Sequence, residues 1–127
     1  MSAVPTFAAG HELLDEPTAD ATRVTTSLRN IVRANRWFGG TWAALYGIDW
    51  VLGRHAPGSA SLLDIGTGAG DLPRAASRRS RRRGTALRTI GLERHPAAAR
   101  LARGEALDLV LGCASALPFA AASVDVV

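Results

Sequence analysis

Three stretches of this chain carry side chains whose types and spacing suit ligand chemistry. They are Asp64-Ile65-Gly66-Thr67-Gly68-Ala69-Gly70, Glu93, and Gly112-Cys113-Ala114-Ser115. Glycines at alternate positions let the backbone turn tightly and let a ligand approach without meeting a Cβ atom. Asp71-Leu72-Pro73 directly afterwards reads as a helix start, with aspartate suited to the N-cap and proline tolerated in the first turn. The free N–H groups and positive dipole end of such a helix favour a carboxylate or phosphate. Glu93 lies about 20 residues past the loop, where a strand-end carboxylate accepts hydrogen bonds from both hydroxyls of a ribose. Each feature also has a plainer reading: an ordinary strand-to-helix turn for the loop, and a solvated carboxylate for Glu93.

The glycine spacing separates possible ligands. A dinucleotide loop, G-x-G-x-x-G, would place its third glycine at position 71, which is Asp71, a residue that would repel a pyrophosphate. No G-K-[ST] follows either, so a phosphate-binding P-loop is excluded. The observed pattern is Asp64 followed by Gly66, Gly68 and Gly70.

Positioning these groups requires alternating strands and helices. The chain predicts strands over 61–65, 87–93 and 107–111, and the start of a fourth over 124–127. Helices are predicted over 71–80 and 96–103. This alternation implies a doubly wound, Rossmann-like α/β fold with a parallel sheet and right-handed crossovers. Ahead of it, Asp20 caps a predicted helix over 21–35, with Val24, Leu28, Ile31 and Val32 on one face. Paired glycines at 39 and 40 interrupt it. A second helix is expected over 41–52, with Trp42, Leu45, Tyr46 and Trp50 available for packing. Residues 1–17 read as a loose arm, and 54–59 as a linker. The organisation expected is therefore an arm with lid helices over 1–57 and a cofactor-binding part over 58–127.

Three elements in order resemble class I S-adenosylmethionine-dependent methyltransferases: Asp64 with the G-x-G-x-G loop, Glu93, and the stretch Gly112–Phe119 followed by Ser123-Val124-Asp125-Val126-Val127. The last resembles that family's G-D-A-x-x-L-P-F and S-F-D-V-V. The leader, Glu12–Pro17 and Asn35–Gly40, is similar to that of bacterial small-molecule methyltransferases, whose leading helices cover the cofactor pocket. The resemblance implies S-adenosyl-L-methionine as cofactor and methyl transfer to a small-molecule acceptor. It places Asp64 near the methionine amino group and Gly66, Thr67, Gly68 and Gly70 along the methionine moiety. Glu93 falls at the ribose, and Cys113 and Ala114 at the adenine. Cys113 departs from the family, which usually has aspartate there, and a thiol is a poor acceptor. Losing a charge-assisted bond at that point would weaken binding by roughly 1.5–3 kcal/mol. Ala121 departs likewise. The resemblance assigns no catalytic residue. It also implies that the chain stops inside strand four, so that an inactive cofactor-binding fragment is the alternative. A nicotinamide-dependent oxidoreductase, disfavoured by Asp71, is the more distant one. On this reading an unpaired sheet edge would let the chain self-associate.

Composition narrows the classes. The 127 residues suffice for one core, with 47% hydrophobic and 20% charged residues, so the chain is not disordered. No apolar run reaches the roughly 20 residues of a spanning helix, and the N-terminus lacks the features of a secretory signal. A single cysteine and three scattered histidines offer neither a disulfide nor a metal site, which suits the cytoplasm. The net charge of +4 comes from fifteen arginines and no lysine, so it speaks weakly for nucleic acid. The Arg78–Arg83 run is read as a solvated helix end. Trp37, Trp42 and Trp50 are read as helix packing rather than substrate stacking. Cys113, without a paired histidine, is read as a small buried side chain.

Overall fold

The computed structural model describes residues 16, 18–55, 58–104 and 106–127. The expected N-terminal arm, with most of the Glu12–Pro17 leader, lies outside them. Helix α1 spans Ala21–Trp37, and the Asp20 carboxylate caps it by accepting from the N–H groups of Thr22 and Arg23, both at 3.0 Å. It runs two residues past the expected Asn35, so the break falls at Phe38 and Gly39, where Gly39 has φ +79°. Helix α2 then runs from Gly40 to His55, longer at both ends than expected.

The sheet comprises β1 (Ser59–Ile65), β2 (Ala86–Glu93) and β3 (Asp108–Leu111), all parallel in the order β1-β2-β3. Helices α3 (Asp71–Arg82) and α4 (Pro96–Ala102) make the two crossovers. Right-handed connections stepping in one direction put both helices on one sheet face. Arg74 of α3 accordingly reaches the Ala102 carbonyl of α4 at 2.8 Å. Beyond β1, Val126 bridges in parallel to Leu62, with the Leu63 N–H donating to Val126 O and the Val126 N–H donating to Ser61 O. The expected fourth strand thus lies beside β1, but as a single bridge.

Burial follows from the period-2 alternation of the strands. Ala60 and Leu62 of β1 and Leu87 of β2 share one apolar cluster with Ala76 of α3 and Ile48 and Leu52 of α2. Leu63, Ile90 and Leu92 point the other way and are covered by Phe119 and Val124 from the last segment. Burying a leucine as fully as Leu92 contributes roughly 1.5–3 kcal/mol. Val24 and Leu28 of α1 seat on Ala97 and Ala98 of α4. The leading helices therefore share their cores with the sheet's own helices. Asp49 of α2 strengthens this attachment by pairing with Arg79 of α3 and with Arg83 at its C-cap.

Two expectations are corrected. Asp71 does not cap α3: Gly70, with φ +71°, occupies the N-cap without a side-chain bond, and Asp71 sits in the first turn. The tryptophans do not pack inside. Trp37, Trp42 and Trp50 are 86%, 65% and 56% exposed, because the face of α2 that meets the core carries Leu45, Ile48 and Leu52 instead. Trp42 stacks on Tyr46, and the Arg54 guanidinium lies over the Trp50 ring. In the arginine run, Arg78, Arg81 and Arg82 are exposed as expected.

Candidate functional site

The strands all end on one side, and the loops that follow them line a cleft of about 610 Å³. Alternate residues of a strand face opposite ways, so Asp64 at the end of β1 and Gly91 and Glu93 at the end of β2 share a face. Asp64, Gly66, Thr67, Gly68, Glu93, Cys113 and Ala114 all border the cleft, as do Asp71, Arg94 and His95. Its far wall comes from α1 and α2, through Leu28, Ile31, Val32, Asn35, Thr41 and Ala44.

The glycine loop is held from below. The N–H groups of Gly66 and Thr67 both donate to the carbonyl of Leu92, at 2.8 and 3.1 Å, tying the loop to the end of β2. Gly66 has φ +74° and open space where a Cβ would stand, so this part of the loop presents bare backbone to the cleft. Gly68, at φ +54°, lies under α1, where an added Cβ would be 3.1 Å from the Leu28 side chain. Gly70 is the exception among the sequence-chosen residues. It does not border the cleft, and an added Cβ would stand 2.8 Å from Leu107, so it serves close packing at the head of α3. Arg74 clamps the loop by donating to the Ala69 carbonyl at 2.7 Å while also holding Ala102.

The Thr67 hydroxyl donates to the Asp64 carboxylate at 2.8 Å. Burial pushes the Asp64 carboxyl above the usual carboxylate range; the Thr67 bond pulls against this, while the charges of Asp71 and Glu93 add to the rise. Glu93 accepts from the Gly68 N–H at 2.9 Å through one oxygen and from the His95 N–H at 2.8 Å through the other. Each carboxylate oxygen keeps a lone pair for a further donor. This cross-link between β2 and the glycine loop was invisible in the sequence, where the two are 25 residues apart.

His95 was missed as well. Its Nδ1 caps α4 by accepting from the Ala97 N–H at 3.2 Å, while the buried Nε2 has no partner among the described residues. At the third loop, Cys113 Sγ lies 3.1 Å from Ser115 Oγ. The hydrogen bonds from Ser115 and the charge of Arg94 lower its thiol below the ordinary value. Cys113 is half-buried at the cleft rather than fully enclosed as expected. Among the described residues no group of histidine, cysteine and carboxylate side chains could hold a metal ion.

Comparison of the folds settles the architecture. Over 87% of its length the chain superposes on 41% of the plantazolicin methyltransferase BpumL, solved with S-adenosylhomocysteine, at TM-score 0.59 and 15% identity. Over 90% of its length it superposes on 48% of a proposed S-adenosyl-L-methionine-dependent methyltransferase from Methanococcus maripaludis, at TM-score 0.54 and 14% identity. The fold is the class I methyltransferase fold. The chain spans less than half the length of each of these neighbours. A methyltransferase bound to the Trm112 activator of Haloferax volcanii is 26% identical over 65% of this chain and 41% of its own, at TM-score 0.45, too low to bear on the fold. No protein-family model matches the sequence, and no curated protein is significantly similar to it. No helix among the described residues is long and apolar enough to cross a membrane.

Proposed function

We propose that the cleft binds S-adenosyl-L-methionine and that the chain forms the cofactor-holding part of an enzyme that methylates a small molecule. One observation carries this reading. The end of β1 with the loop after it, and the end of β2, bring Asp64, the bare backbone of Gly66 and the Glu93 carboxylate to one cleft, which Cys113 and Ala114 after β3 also border, on a methyltransferase fold.

The residues suit such a ligand. The methionine end carries an ammonium, which the half-buried Asp64 would accept, and Thr67 holds that carboxylate in place. Ionised Asp64 is disfavoured by burial, so a bound cation would offset part of that cost. The Gly66 backbone would run beside the methionine chain with no side chain in the way. Glu93 would take the ribose hydroxyls with its remaining lone pairs, already oriented by the Gly68 and His95 N–H groups. The Ala114 N–H would meet the adenine, and Cys113 would offer only a weak acceptor to its amino group. When bound, the cofactor supplies an electrophilic sulfonium methyl. The protein's part is to orient the two reactants and exclude water, and such positioning can be worth about 7–11 kcal/mol. Asp71 borders the same cleft and would oppose a pyrophosphate, which disfavours a nicotinamide dinucleotide.

The test is calorimetric titration with S-adenosylhomocysteine of the wild-type chain and of Glu93→Ala. Loss of the two ribose acceptors should weaken binding by about 1.5–3 kcal/mol. Equal affinity would remove Glu93 from the site.

A further inference from the structure

The two walls of the cleft differ in chemistry, and the difference points to the acceptor. The wall formed by strand-end loops carries the ionisable groups Asp64, Asp71, Glu93, Arg94 and His95. The wall formed by α1 and α2 contributes none: it offers Leu28, Ile31, Val32 and Ala44, with only Asn35 and Thr41 polar. At about 100° per residue, Phe38, the C-cap that follows α1, extends the row of Ile31 and Asn35 by one further turn. There it stands 89% exposed, beyond the last cleft residue of that helix, and Ile31 within the row is 41% exposed. The arginines of α1 beyond Leu28 do not share this face. Arg29, Arg33 and Arg36 fall on the roughly opposite side of the helix and are exposed.

Building on the cofactor reading above, we propose that the α1 face of the cleft binds an uncharged, apolar aromatic methyl acceptor, with Ile31 and Phe38 as its main contacts. A cationic acceptor such as an alkylamine would find no carboxylate on this wall, and an anionic one no guanidinium. An aromatic ring would instead cover Ile31 and Phe38, apolar side chains that stand 41% and 89% exposed. For a phenolic acceptor the chemistry balances simply. The oxygen forms a bond to the methyl carbon, the sulfur–methyl bond breaks with its electron pair returning to sulfur, and the phenolic proton goes to solvent.

The experiment titrates the chain, with and without S-adenosylhomocysteine, with 2-naphthol, 2-naphthoate and 2-naphthylmethylamine. The proposal expects 2-naphthol to bind at least tenfold more tightly than either charged analogue. It expects Phe38→Ala, outside the cofactor cleft, to weaken 2-naphthol at least fivefold while S-adenosylhomocysteine affinity stays within threefold, and Ile31→Asp to weaken 2-naphthol at least fivefold. Phe38 is exposed enough that its removal leaves the fold intact, which circular dichroism verifies. Absent or non-selective binding of 2-naphthol, or variants that bind it as the wild type does, would overturn the proposal. Failure of S-adenosylhomocysteine to bind the wild type would instead refute the cofactor reading, so the two failures are distinguishable.

Discussion

Gly91→Ala probes how the floor of the site is built. Gly91 sits near the end of β2 directly beneath the glycine loop. A Cβ there would stand 2.7 Å from Thr67 Cγ2 and 3.0 Å from both Thr67 Cβ and Oγ1. Thr67 is buried and held by its bond to Asp64 and its N–H bond to Leu92, so it has little room to retreat. Overpacking of this kind costs about 1–3 kcal/mol. Turning Thr67 away would forfeit its bond to Asp64, about another 0.5–1.5 kcal/mol. Replacing glycine by alanine in extended backbone returns about 0.4–1 kcal/mol through the unfolded state. The net expectation is a loss of roughly 0.5–4 kcal/mol, a fall in Tm of roughly 2–16 °C for a domain of this size. Thr67→Ser removes the methyl that clashes while keeping the hydroxyl for Asp64, so the double variant should recover at least about 1 kcal/mol relative to additivity. Urea denaturation of the four proteins in the cycle measures this. If Gly91→Ala matched the wild type, or if Thr67→Ser gave no recovery, the packing of loop on strand described above would be wrong.

Four further outcomes are expected. Asp64→Asn should raise stability near pH 7, because a carboxyl whose folded pKa is raised contributes stability only below its unfolded value, about 3.9, and loses it as pH rises through the folded value. The gain measured by thermal melting should shrink toward pH 3, and a variant less stable than wild type at both pH values would refute the desolvation argument. Cys113→Asp should tighten S-adenosylhomocysteine binding by supplying the missing acceptor for the adenine amino group, and weaker binding would show that this corner of the cleft is arranged differently. Gly70→Ala should destabilise by about 1–3 kcal/mol in denaturant melts, through its contact with Leu107 and its left-handed backbone. Light scattering should show self-association of the isolated chain, because among the described residues its sheet ends in one bridge at Val126 on one side and in β3, which pairs only with β2, on the other; a stable monomer would refute this.

The framework was legible because its signals are local. Short apolar runs ending in glycine, aspartate or proline announced the strands and their crossovers, and the spacing of Gly66, Gly68 and Gly70 placed the loop. What failed to show were contacts between distant segments. Nothing near Gly91 in the chain reveals that Thr67 will lie on it. Nothing near Glu93 reveals that Gly68 will bond to it. Gly70 resembled a ligand-facing glycine because its role depends on Leu107, 37 positions away by numbering. The tryptophans misled for a related reason. Residue type suggested burial, but orientation is set by which stripe of α2 meets the sheet, and Ile48 and Leu52 occupy that stripe. His95 went unnoticed because histidine is an uncommon helix cap, and only the placed Nδ1 shows it doing so.

The central claim is that this cleft takes an adenosyl sulfonium amino acid rather than a dinucleotide. Isothermal titration of the chain with S-adenosylhomocysteine and, separately, with NAD tests it most directly. The account predicts one-to-one binding of S-adenosylhomocysteine that Asp64→Ala and Glu93→Ala each weaken at least tenfold, with no detectable binding of NAD. Tighter binding of NAD, or S-adenosylhomocysteine affinity indifferent to both substitutions, would contradict it.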